Sequence, residues 1–102
     1  MYEKEFSERL TQLRMEKSVS ARDMSLSIGQ NPGYINSIET GKSLPSMSGF
    51  FYICDYLKVS PKDFFDLELQ QPDKVGNLMN NIKKLTPKQL EYISELVKDL
   101  VS

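Results

Sequence analysis

Apolar residues recur every three or four positions along most of the chain, with polar residues between them. This spacing puts the apolar side chains on one face of an α-helix, which turns once every 3.6 residues. Phe6, Leu10 and Leu13 follow it in a first predicted helix over residues 3–17. No stretch shows the strict alternation of a half-buried strand. The pattern therefore predicts an all-α protein.

Two short helices are predicted in the stretch from Ser20 to Ser46. Ser20 is expected to cap the first helix, because a serine oxygen can accept an unpaired N–H of the first turn. Gly29 suits the left-handed backbone that ends it. Asn31 is expected to cap the second helix, over 32–40, with Pro32 at its first position and Gly41 in the left-handed backbone that ends it. Two short helices joined by a tight turn form the shape that enters a DNA major groove.

The same signals continue along the chain. Ser46 is expected to cap a fourth helix, Ser60-Pro61 a short fifth one and Thr86-Pro87 the last one. Residues 67–73 are polar and contain a proline, so they are predicted to be a linker. We thus expect a five-helix domain over 1–66 and a C-terminal segment over 74–102, with two amphipathic helices.

The two C-terminal helices carry apolar stripes too short to form a core of their own. They must pack on the first five helices, on a partner chain, or on both. Homodimerisation through them is the preferred interpretation, with intrachain packing as the alternative. The expected dimerisation residues are Val75, Leu78, Met79, Ile82, Leu90, Ile93, Leu96, Val97 and Leu100.

The composition excludes several kinds of site. The chain has 102 residues, one cysteine (Cys54) and no histidine, so an intrachain disulfide, a Cys/His zinc site and His-dependent catalysis are excluded. Cys54 lies in an apolar run and is expected to be a buried small residue. No phosphate loop or nucleophile–base set is present. We expect no enzyme, no cofactor, no membrane span and, by default, a cytoplasmic protein.

The charge balance bears on nucleic-acid binding. The formal net charge is −1, and residues 1–66 hold 8 basic and 9 acidic side chains. Phosphate neutralisation supplies most non-specific DNA affinity, so a DNA-binding chain of this charge needs its cations on one face.

The stretch from Phe6 to Phe65 resembles a known family. LRMEK, YINSIETGK, LPS and VSPKDFF, spaced without a gap, are similar to the lambda-repressor/Cro-like (XRE-type) helix-turn-helix regulators. The resemblance implies five helices, with 21–28 as positioning helix and 32–40 as recognition helix. It also implies an Arg14–Glu39 ion pair, and a homodimer that binds two half-sites about one helical turn apart on double-stranded DNA.

Helix N-termini bind phosphate well, so the helix starts at Ser20 and Asn31 are expected to face DNA strands. The expected phosphate contacts are Arg22, Gln30, Asn31, Tyr34, Asn36, Lys42 and Ser43.

The sequence departs from the family pattern where bases are usually contacted. Those two positions are Pro32 and Gly33, which offer no polar side chain. Ser37 and Asn36 remain for hydrogen bonds to bases, Gly33 permits close backbone approach, and Pro32 can touch a thymine methyl. DNA shape and water-mediated contacts would then carry much of the specificity.

Three further departures concern scaffold positions. The glutamine that usually starts the positioning helix is Ala21, the small alanine inside that helix is Ser25, and the glycine expected after the fourth helix is Lys58.

Two functions from different classes follow. The first is a sequence-specific transcriptional regulator, expected to be a homodimeric repressor. The second is a protein-interaction or antitoxin-like module on a degenerate helix-turn-helix fold. The near-neutral charge and the apolar stripes of the C-terminal helices favour it. The two are compatible if a regulatory protein partner binds the C-terminal helices.

Overall fold

A computed structural model describes residues 2–68 and 70–102 of the chain. These residues form seven α-helices and no strand, so the all-α prediction is confirmed for them. The helices are α1 (Tyr2–Glu16), α2 (Ala21–Ser27), α3 (Tyr34–Glu39), α4 (Met47–Leu57), α5 (Pro61–Phe64), α6 (Pro72–Ile82) and α7 (Pro87–Leu100). Among the described residues, none of the helices has the length and apolar character needed to cross a bilayer.

Four predicted caps are confirmed. The hydroxyls of Ser20, Ser46, Ser60 and Thr86 each accept the backbone N–H of the residue three positions on. At α7 the bond is reciprocated, because the Gln89 side chain accepts the N–H of Thr86. Each cap satisfies a donor that the first turn of a helix leaves unpaired.

The predicted start of α3 is wrong by two residues. The helix begins at Tyr34, and Pro32 and Gly33 lie in the preceding turn rather than in its first turn. Asn31 Oδ1 accepts the N–H of Gly33 at 3.0 Å, and the Asn31 carbonyl accepts the N–H of Tyr34. Asn31 therefore closes a turn instead of capping the helix, and Gly33 holds the N-cap position without a side chain.

Three helices end in the same hydrogen-bonded motif. Gly29 and Gly41 follow α2 and α3 with φ of 77° and 79°, as predicted, and Lys58 follows α4 with φ of 58°. In each case the left-handed residue and the next one donate to carbonyls of the last helical turn. At the end of α4 the left-handed residue is Lys58, whose side chain makes this backbone conformation sterically less favourable than it is for glycine.

The core lies among the first five helices. Leu10 of α1, Met24 of α2, Ile38 of α3, Ile53 of α4 and Phe64 of α5 are all fully buried. Phe6 joins Phe64 with ring centroids 5.0 Å apart, and Cys54 is buried as predicted. We call residues 2–66 the N-terminal unit.

The remaining helices extend from this unit. We call residues 72–102 the C-terminal arm. Pro72 is buried, whereas every side chain of α7 is exposed. The chain measures 50 × 26 × 23 Å, and its radius of gyration is 16.6 Å. A compact chain of this length would have a radius of gyration of about 13 Å.

The polar link between unit and arm is shorter than the predicted 67–73, because α6 already begins at Pro72. The N–H of Gln71 donates to Glu16 Oε1 at 2.9 Å and fixes the start of α6 near the end of α1. Of the predicted domain and linker, Met1 and Leu69 lie outside the described residues.

Candidate nucleic-acid interface

Helix α3 is held at its N-terminus by a serine of α2. Ser25 is fully buried, and its Oγ accepts the N–H of Ile35 at 3.0 Å while donating to the carbonyl of Ala21 at 2.7 Å. The N–H of Ile35 is one that a helix start leaves unpaired. Because Gly33 offers no capping side chain, Ser25 supplies the missing acceptor from the neighbouring helix.

The other end of α3 is held by α1. Buried Ser7 donates from Oγ to the carbonyl of Ile38 at 2.8 Å. Arg14 and Glu39 form the ion pair implied by the resemblance, with Nε–Oε2 at 2.6 Å and Nη2–Oε1 at 2.9 Å. The two side chains are 16% and 9% exposed. The guanidinium also donates to the carbonyl of Val19 at 2.8 Å.

The hydrogen bond to Glu39 raises the pKa of Arg14, and the nearby negative charge acts in the same direction, whereas burial opposes it. A bidentate ion pair of this kind fixes the relative orientation of the two side chains as well as their distance. The end of α3 therefore has a set position relative to α1.

These attachments matter because α3 has only six residues. Helices shorter than roughly 12–15 residues are marginal in water without tertiary support. The side chains of α1 and α2 provide that support on the inner face, together with fully buried Ile35 and Ile38.

The outer face of α3 and the turn before it are open to solvent. Asn31, Pro32, Gly33 and Asn36 are all exposed. The sequence-predicted contacts Asn31 and Asn36 are thus presented outward, and Pro32 and Gly33 present a short apolar surface between them. Asn36 is the one member of this group that lies on the helix proper and offers both donors and acceptors.

The exit from α3 gathers three more predicted contacts. Ser37 Oγ and Ser43 Oγ are 2.9 Å apart, and the N–H groups of Lys42 and Ser43 both donate to the carbonyl of Ser37. Lys42 and Ser43 are exposed, and Ser37 is half-buried. Ser37 is therefore engaged within the chain, which leaves its hydroxyl fewer free hydrogen-bonding positions than the sequence suggested.

Tyr34 packs toward α4. A Cβ added at Gly49 would lie 2.5 Å from Tyr34 Oη and 3.3 Å from Ser46 Oγ, so the hydroxyl lies beside the first turn of α4. Burial raises the pKa of Tyr34. This side chain joins α3 to α4, and we assign it a positioning role beside its predicted phosphate contact.

The remaining predicted contacts flank α3. Ser20 caps α2, Arg22 is exposed in the first turn of α2, and Gln30 is half-buried in the turn between the helices. Arg22 and Lys42 are the exposed cations within the stretch from Ser20 to Ser46. The positive charge on this face is therefore small.

Sequence reasoning missed Arg9, a fully buried cation. Arg9 Nη2 donates to the carbonyl of Asp63 at 2.7 Å, and Nε donates to that of Phe64, both in α5. Burial lowers the pKa of Arg9, and the nearby carboxylates of Glu16, Asp66 and Asp63 oppose that shift. Arg9 ties α1 to the last helix of the N-terminal unit. The sequence around Arg9 did not indicate its burial, because an arginine next to Leu10 fits the ordinary alternation of polar and apolar residues in an amphipathic helix.

The predicted dimerisation residues lie on exposed faces of the arm. Their exposed fractions range from 36% at Ile93 to 73% at Leu100, apart from half-buried Ile82. The N-terminal unit covers little of these stripes. The first five helices therefore leave most of these stripes uncovered in the described residues, and homodimerisation through them stays a prediction.

The chain matches no protein-family model, no curated protein and no solved structure.

Proposed function

We propose that this protein is a sequence-specific DNA-binding transcriptional regulator that acts in the cytoplasm as a homodimeric repressor. In this proposal residues 1–66 have a lambda-repressor-like fold of the XRE type. The positioning helix is α2, and the turn 31–33 with α3 enters the major groove.

The attachment of α3 is the observation that carries the proposal. A six-residue helix is fastened at both ends by side chains of α1 and α2, while Asn36 on its outer face and the turn before it are exposed. Rigid presentation of a short helix is what docking into a groove requires, since a contact set must be held in register.

The small number of polar side chains on that face defines how DNA would be recognised. Asn36 offers a bidentate partner for adenine, and the exposed Pro32-Gly33 turn allows close approach to the groove floor. Lys42 and Arg22 would contact phosphates on either side of α3. Sequence preference would then depend strongly on groove shape.

The test is selection of bound DNA from a random pool, followed by anisotropy titration of the selected duplex. We expect the paired variant Lys42→Glu with Asn36→Ala to lose most of the affinity. The matched control is Lys88→Glu with Asn80→Ala, which makes the same chemical changes on the arm and should bind as the unaltered chain does.

The salt dependence gives a second measurement. With two cations per half-site and two half-sites, the logarithm of the affinity should fall against the logarithm of salt concentration with a slope of about −4. No salt-dependent affinity of the unaltered chain for any selected duplex would refute the proposal.

The second candidate is a protein-interaction or antitoxin-like module. The exposed apolar stripes of α6 and α7 and the net charge of −1 favour it. It predicts stoichiometric capture of a different protein, unchanged by nuclease treatment and lost on Leu96→Asp. Selection of a tight duplex, with no captured protein, would count against it.

A further inference from the structure

The two helices of the arm carry stripes of the same design. Val75, Leu78, Ile82 and Leu85 follow spacings of three, four and three residues in and after α6. In α7 Leu90, Ile93, Val97 and Leu100 repeat those spacings. Each stripe spans eleven residues, which corresponds to about 15 Å along a helix axis. Equal length and equal spacing mean that either stripe can pack along the other.

The apolar surface of α7 is wider than one neighbouring helix can cover. At 100° per residue, Tyr92 and Leu96 continue the stripe on one side and Val101 on the other, so about half of the circumference is apolar. Within its own chain no residue of α7 is buried. A helix of this kind fits a position between two neighbours.

The charged residues beside the α6 stripe limit which helices can pack against it. On the helical projection Lys74 and Lys83 lie on opposite sides of its stripe, each about a quarter turn from the centre. Packing α6 against a second α6 would bring four lysines together, which like-charge repulsion opposes. Helix α7 has a net charge of −1, from three acidic and two basic residues, and its acidic residues Glu91, Glu95 and Asp99 lie away from its stripe.

We propose that the occupant of both stripes is a second copy of this chain, and that two arms form a four-helix bundle with the α7 helices at its centre. This inference rests on the homodimer of the proposed function and specifies its interface. Each α7 packs against the partner's α7 and α6, and the lysines flanking α6 lie at the rim.

The exposed area agrees with this occupant. Eight aliphatic side chains of the arm and Met79 keep exposures that together equal between four and five fully exposed residues. At roughly 90 Å² for each, two copies would bury about 800 Å² of apolar surface. A standard interface of about 1,600 Å² contains roughly 900 Å² of apolar surface, so the arm supplies nearly all that a stable dimer needs.

The experiment is sedimentation equilibrium of the full chain without DNA. We expect twice the chain mass of 11.7 kDa for the unaltered protein and for the control Lys84→Asp, an exposed position in the turn after α6. Val97→Asp and Leu78→Asp should each sediment as monomers, with a dissociation constant raised at least 100-fold. Because both side chains are about half exposed within the chain, circular dichroism should report unchanged helix content.

A monomeric unaltered chain, or a dimer that persists in Val97→Asp, would overturn the inference. Capture of a different protein by the monomer would do so as well. A dimer that persists in Val97→Asp and still binds selected DNA refutes the bundle alone, and a dimer that is lost in Val97→Asp but binds no DNA refutes the proposed function alone.

Discussion

The N-terminal unit and the C-terminal arm differ in what their apolar residues contact. In the unit, Leu10, Ile38 and Phe64 are fully buried among five helices, although α3 and α5 are very short. In the arm, two longer helices leave Leu96 and Leu100 more than half exposed. Amphipathic spacing thus predicts a helix equally well in both regions. Whether its apolar face is covered depends on how many other helices of the same chain are within reach.

Removing an apolar side chain should separate the two regions most clearly. We expect Phe64→Ala to lower the free energy of unfolding by about 3–5 kcal/mol, because it leaves a cavity in the core. Leu100→Ala should change it by less than about 0.5 kcal/mol in dilute solution, where self-association does not contribute. Urea denaturation of both variants measures this. Similar losses for the two would contradict the division into unit and arm.

The two helical glycines offer a second contrast. Gly49→Ala places a methyl group 2.5 Å from Tyr34 Oη, so we expect a loss of about 1–3 kcal/mol from overpacking. At Gly76, in the middle of α6, nothing lies within 4 Å, and alanine should stabilise by about 0.5–1 kcal/mol. Thermal or urea denaturation measures whether each substitution lowers or raises the free energy of unfolding.

The contact with Tyr34 can be checked separately. In a Tyr34→Phe background the hydroxyl is gone, and the cost of Gly49→Ala should fall. An unchanged cost would show that the added methyl group meets a different obstacle.

The stability of the N-terminal unit is expected to depend on pH through a buried thiol in its core. Burial, helped by the charge of Asp55, raises the pKa of the Cys54 thiol from 9.0 to about 11. The folded state disfavours the thiolate, so the stabilisation is complete below the unfolded pKa and is lost as the pH rises toward the folded value. Between pH 8 and pH 10 the unaltered chain should lose about 1–1.5 kcal/mol more than Cys54→Ala. Parallel pH profiles for the two chains would contradict this.

The smallest effect concerns the ends of α4 and α6. Lys58 has φ of 58°, so Lys58→Gly should relieve its steric cost and stabilise the unit by about 0.5–1 kcal/mol. Lys83 follows α6 with ordinary right-handed backbone, and Lys83→Gly should give no gain. Denaturant midpoints compare the two. Equal shifts would mean that backbone conformation is not the cause.

Most helix boundaries could be predicted because their causes are local. A serine at Ser20 or Ser46, or Thr86 before a proline, satisfies a helix start within three residues, and Gly29 and Gly41 provide the backbone that ends a helix. The start of α3 could not be placed this way. Asn31 can cap a helix or close a turn with the same hydrogen bond, and local sequence does not choose between them.

The support of the candidate site was beyond sequence reasoning for a different reason. Ser25 and Ser7 are ordinary polar residues in amphipathic helices, and only tertiary packing makes them partners of Ile35 and Ile38. The Arg14–Glu39 pair was found through the family resemblance, not through the pattern. Arg9 lacked either signal for its tie to α5, since its acceptors there are backbone carbonyls 54 and 55 residues further on.

The direction of these attachments along the chain has a consequence for how the molecule is made. The side chains that fasten α3 from other helices, Ser7, Arg14 and Ser25, all precede it in sequence. A ribosome therefore completes every one of these anchors before it adds Tyr34. As α3 leaves the exit tunnel, its polar partners are already outside, so the candidate DNA-facing helix can be docked while α4 to α7 are still being translated.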